Sequence, residues 1–154
     1  MMWSEVKKLT IDYLVRGLCN CPYTNHPKGC PNYDKRNTCP PKCPKVETTI
    51  DVNKPIYAIW NKFEFGKHCL KMRESHPEWS PRQTECCLYW QGTARKHLRQ
   101  TIKKFTLSFP NMCVFQTPEA MGVNVTATMK DLGIDLEWPP KIYTYQIAIA
   151  GIVK

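Results

Sequence analysis

Apolar positions recur along the chain with two different periods, and a polar, proline-punctuated stretch separates them. PIYAIWNKFEF, residues 55–65, is rich in β-branched and aromatic side chains and predicts a strand. MCVFQ, residues 112–116, and IYTYQIAIAGIV, residues 142–153, predict a second and a third. Helical spacing shows elsewhere. Residues 4–18 place Val6, Leu9, Tyr13 and Leu14 roughly on one face, with Ser4 as N-cap and an end near Gly17. A short helical stretch fits residues 66–75. SPRQ at 80–83 offers Ser at the N-cap, Pro in the first turn and Gln three residues on, a capping box that opens a long helix running to about Thr106. PEAMGVNVTATMKDLG, residues 118–133, reads as mostly helical and ends at Gly133. Strands interleaved with helices predict a small α/β (or α+β) unit of about three strands. No internal repeat or low-complexity linker divides the chain, so residues 1–154 are expected to form one domain.

The long helix sorts its side chains. At about 100° per residue, Cys87, Trp90, Ala94, Leu98, Ile102 and Phe105 fall within an arc of about 120°, the expected core face. Arg95, Lys96, Arg99 and Lys103 fall opposite, and residues 88–108 hold five basic residues and no acidic one. This stripe is the candidate anion-binding surface, with a solvated helix face as the plainer reading. The formal net charge of +9 points the same way, toward nucleic acid, a nucleotide or another anionic partner.

Residues 19–46 break both periods. They contain five cysteines and six prolines, and such a loop is ordered only if something other than a hydrogen-bond ladder holds it. Cys21, Cys30, Cys39 and Cys43 each precede a proline, which extends the cysteine backbone and removes the next amide proton. Cys39 and Cys43 have a chelating spacing, Cys30 lies upstream, and Cys19 and Cys21 add two more thiols. Nine cysteines cannot all pair. With no signal-peptide core at the N-terminus and no apolar run long enough to span a bilayer, a cytoplasmic location and no membrane partner are expected. There thiols stay reduced, which favours metal-thiolate chemistry over disulfides. Cys69 and Cys113 have a plainer reading as small buried hydrophobes.

The proline-poised thiols predict an iron–sulfur cluster, 4Fe–4S in type, with structural zinc as the alternative. Cys87 or Cys113 would complete the set across the core. The adjacent Cys86 and Cys87 point about 100° apart on a regular helix, so at most one of them is a ligand unless the turn is distorted. An iron left open by a three-cysteine set, with a basic helix beside it, would allow redox or sulfur chemistry on a nucleotide or RNA. No acid–base pair marks the chain as an enzyme: Glu64, Asp131 and Glu137 are scattered. Trp3, Trp60, Trp79 and Trp138 offer anchors for a protein partner or packing residues. The seven glycines form no phosphate cradle.

GCPNYDKRNTCPP, residues 29–41, resembles the Cys-Pro-x-Tyr-Gly-Lys-x-x-x-Cys-Pro-Pro segment of a group of small predicted metal-binding proteins, with Asp34 standing where they carry glycine. Residues 118–133 resemble the same group's C-terminal signature, Glu-Ala-x-Gly-(Ile/Val)-(Asp/Asn)-Val. The resemblance implies a metal or iron–sulfur site. It matches Cys30, Cys39, Cys86 or Cys87, and Cys113 to the group's cysteines.

Overall fold

In the computed structural model the described residues are 2–22 and 26–154. Met1 and residues 23–25, the latter inside the predicted cysteine-rich loop, lie outside them. Four strands, β1 (Trp3–Glu5), β2 (Tyr57–Phe63), β3 (Cys113–Phe115) and β4 (Thr144–Gly151), form one sheet in the order β1-β2-β4-β3. Every neighbouring pair is antiparallel. The helices are α1 (Val46–Thr49), α2 (Phe65–Ser75), α3 (Pro81–Thr84), α4 (Gln91–Ser108) and α5 (Val125–Asp131). An antiparallel sheet with helices packed on it is α+β architecture rather than the βαβ kind.

Strand alternation gives the sheet two different faces. Ala58 and Ile149, with Trp60, Ile147 and Phe115, turn to one side and join Val46, Ile50, Met121, Val123 and Met129 in one core. Ile59, Ala148 and Ala150 turn to the other, where α4 lays Leu98 and Phe105 across them. The alanines of β4 leave the room that Phe105 fills. Its ring is fully buried and meets Trp3, Tyr57 and Phe109 at centroid distances of 5.8, 5.6 and 4.7 Å. Farther along that face, Phe65, Cys69, Trp90 and Ala94 form a third cluster with Phe63 and Cys87.

The three predicted strands are present, each shorter than its apolar run. The fourth, β1, corrects the expected helix over 4–18. Ser4 does not cap a helix; it pairs with Ala58, between Trp3↔Ile59 and Glu5↔Tyr57. The open edge of β2 offers a ladder, and Trp3 a place against Phe105, which a short helix of mixed propensity cannot match. Helical turns begin later, as a 3-10 segment over Tyr13–Asn20 in which the Asp12 carboxylate accepts the Leu14 N–H at 3.0 Å. Gly17 lies within that segment rather than ending it.

The continuous helix from 80 to 106 is also corrected. Its capping box forms, with Ser80 and Gln83 bonded reciprocally. The helix then stops after four residues, and a 3-10 turn over Cys87–Tyr89 precedes α4. The Trp90 indole N–H donates to the Glu85 carbonyl at 3.1 Å, taking an acceptor that a continuous helix would have given to residue 89. The 118–133 stretch splits likewise, at Gly122 with φ 95°, into a 3-10 turn over Glu119–Met121 and α5, capped by Asn124.

Candidate metal centre

Three chain segments meet at the cysteine-rich lobe, beneath the face that carries Ile147 and Ile149. Val46 of α1 and Ile50 just after it are fully buried there, and Cys43 is 5% exposed beside them, so the loop is anchored at its C-terminal end. Its N-terminal end is the Tyr13–Asn20 segment, tied down by Asp12 N–H to the Gly122 carbonyl at 2.8 Å. The Tyr13 ring lies against Gly122, where a Cβ would overlap it. Tyr13 also donates its hydroxyl to Glu47 at 2.8 Å, and Lys45 stands 4.8 Å from its ring centroid.

Arg16 links the three segments. Its Nε–H donates to Ala120 O at 2.9 Å, and its Nη2 donates to Pro41 O at 3.1 Å and Cys43 O at 2.6 Å. A guanidinium holding three carbonyls from two other stretches fixes the 13–20 segment against both. No sequence motif marks this role; the one signal is an arginine on an otherwise apolar segment preceding the first cysteine.

The thiols follow from that scaffold. The Cys30 N–H donates to Cys19 O at 2.6 Å, which places those two residues side by side. Gly29 makes the approach feasible: its φ is 82°, and a Cβ there would stand 2.6 Å from Cys19 O. Cys39 and Cys43 close one turn through Cys43 N–H to Cys39 O at 2.9 Å. Between them and Cys30, Asp34 adopts the left-handed conformation with φ 59°, the region in which glycine is ordinary. Its backbone N–H reaches Pro40 O at 2.7 Å, and Lys42 donates to its carbonyl at 2.7 Å.

Burial and neighbouring charges act on two of these thiols. Burial pushes the Cys19 thiol up, and the Cys30, Cys39 and Glu119 charges push it the same way. Burial also raises Cys43; Arg16 opposes this and Cys39 adds to it. The charge of Cys39 thus acts on both Cys19 and Cys43. Glu119 keeps solvent contact, yet the protein packed around it pushes its carboxyl up, against a bond from its own backbone. Cys21 is exposed, its thiol 3.9 Å from Gly17 O.

The remaining predicted ligands lie elsewhere. Cys87 packs in the Phe65 and Trp90 cluster, on the sheet face opposite Cys43, so the sheet stands between them. Cys86 is half-buried in the break before the 3-10 turn, the distorted turn under which the adjacent pair escapes regular helical spacing. Cys113 is exposed on the edge strand β3, opposite Gly151. Among the described residues, no three Cys, His, Asp or Glu side chains converge at single-ion distance. The donor set nonetheless suits a metal centre. Soft thiolates bind zinc and iron–sulfur clusters, and a cation beside a thiol stabilises it as the thiolate.

Arg95, Lys96, Arg99 and Lys103 are all exposed on α4, and among the described residues none of them forms a salt bridge. Ala94, Leu98 and Phe105 are buried, as the helical arc predicts. Because α4 covers the Ala148 face, the stripe and the thiol group occupy opposite sides of the sheet rather than adjoining. No helix among the described residues is long and apolar enough to cross a membrane. The fold thus defines a small α+β protein with a cysteine-rich lobe. Comparison with family models, curated proteins and solved structures finds no match.

Proposed function

We propose that this chain is an iron–sulfur protein of the cytoplasm whose 4Fe–4S-type cluster is held by Cys19, Cys30, Cys39 and Cys43. The backbone bonds that set Cys30 beside Cys19 and Cys43 one turn from Cys39, within one proline-stiffened loop, support the reading. Nine free thiols suit a reducing compartment. The cluster would supply electron transfer or, at an open iron, Lewis-acid chemistry on sulfur or oxygen. Around it this chain's own groups have separate roles. Arg16 offsets thiolate charge and fixes the lobe, Gly29 and Asp34 set the backbone turns, and Glu119 adds a carboxylate beside Cys19. Replacing Cys30 and Cys39 together by serine is expected to abolish bound iron, measured per chain after anaerobic purification. The Cys86→Ser and Cys113→Ser pair is expected to retain it. Loss of iron in the second pair alone contradicts the ligand set.

The unpaired basic stripe favours a second reading, a zinc-stabilised module that binds nucleic acid without catalysis. In that case zinc is stoichiometric and iron absent. Changing Arg95, Arg99 and Lys103 to Glu should then weaken RNA or DNA binding and flatten its salt dependence, measured by titration at two salt concentrations. Unchanged affinity removes the stripe from either reading.

A further inference from the structure

A concave site lies away from the cysteine-rich lobe. Between the start of α2 and residues 140–142 is a cavity of about 510 Å³, a size that suits a small organic molecule. Its floor is Phe65 and Cys69, 4% and 5% exposed. Leu70 and Ile142 stand at its mouth, 57% and 59% exposed, two large apolar side chains left in water at one opening.

The wall is built by the chain itself. Gly66 N–H donates to Ile142 O at 2.9 Å, and a Cβ on Gly66 would stand 3.0 Å from Lys141 O, so helix and loop approach closely there. The Glu137 carboxylate accepts the Lys141 and Ile142 N–H groups, both at 2.8 Å, and holds the loop in place. The charges lining the site are unequal. Lys67 is taken by Glu64 at 2.8 Å, whereas Arg73 and Lys141 form no salt bridge among the described residues, and Glu85 is the one carboxylate in the lining.

We propose that this cavity binds a small amphipathic anion, its single anionic group between Arg73 and Lys141 and its apolar body over Phe65, Leu70 and Ile142. A cation would meet Arg73 and Lys141, neither of them in a salt bridge among the described residues. A neutral apolar molecule would cover those charges without supplying a partner. The anionic head and apolar body together satisfy both halves of the lining.

Anilinonaphthalene sulfonate tests this on the full chain with its metal content unchanged, and uncharged phenylnaphthylamine reports apolar contact alone. The sulfonate is expected to bind saturably at one site per chain. Arg73→Glu with Lys141→Glu should weaken it about tenfold or more while leaving phenylnaphthylamine within about twofold. Leu107→Glu, on the exposed side of α4, should change neither. Saturating sulfonate should also slow alkylation of Cys69 by iodoacetamide several-fold, read by peptide mass. No saturable binding, equal binding of the two probes, sulfonate affinity unmoved by the double charge reversal, or an unprotected Cys69 would each overturn the proposal.

Discussion

At the scale of single residues, Gly29 controls how closely the two halves of the thiol lobe approach. An alanine there must hold φ near 82° and place its Cβ 2.6 Å from Cys19 O. The left-handed conformation alone costs an L-residue about 1–2 kcal/mol. Gly29→Ala is therefore expected to lower the unfolding midpoint in urea and speed hydrogen exchange at the Cys30 amide. Gly17→Ala, where nothing lies within 4 Å, should change the midpoint little. Glu137 gives a pH-dependent counterpart at the other site. The Ile142 and Lys141 N–H groups hold its carboxyl below the usual carboxylate range. Its contribution is present above the unfolded-state pKa of 4.5 and is lost as pH falls through the depressed folded value. Exchange at the Lys141 and Ile142 amides should accelerate as pH falls through that window, relative to the intrinsic rates. Equal acceleration in Glu137→Gln would assign the change to another group.

At the scale of elements, Arg16 joins what the chain order separates. Removing its guanidinium leaves the carbonyls of Pro41, Cys43 and Ala120 short of a donor, and a hydrogen bond to a charged group contributes about 1.5–3 kcal/mol net of the water it displaces. Arg16→Gln is expected to lower stability by about 2 kcal/mol in urea titration. Arg16→Lys should recover little, because a lysine has no planar fork to span three acceptors. A variant as stable as the parent would mean that water replaces the clamp without loss. None of this was legible in the sequence, since the partners of Arg16 are backbone atoms up to 104 residues away. What was legible was local. Ser80 and Gln83 form their predicted box, and Ala94, Leu98 and Phe105 face the core. The sequence pattern failed where a tertiary acceptor or edge competed with propensity. Trp3–Glu5 became a strand because β2 had an open edge, and the long helix broke where Trp90 bonded Glu85 O. Cys87 was assigned by periodicity to the core face and packs there, which is also why it stands away from Cys43.

At the scale of the whole molecule, the sheet separates two chemistries. One face carries the thiol lobe, clamped by Arg16 and seated on Val46 and Ile50. The other carries α4 with its unpaired cations, and the Phe65 and Cys69 cavity lies beyond it. A partner docked on the stripe would therefore reach the thiol centre through the fold rather than by direct contact. Among the described residues of 19–46, Cys43 and Val46 join the core, and Arg16 and the Cys30 N–H to Cys19 O hydrogen bond tie the rest of the loop down. The most direct measurement is iron, zinc and acid-labile sulfide per chain in anaerobically purified protein, read with its visible spectrum. An iron–sulfur centre predicts iron and sulfide in comparable amounts and a broad absorption near about 400 nm. Colourless protein with neither iron nor sulfide would contradict it.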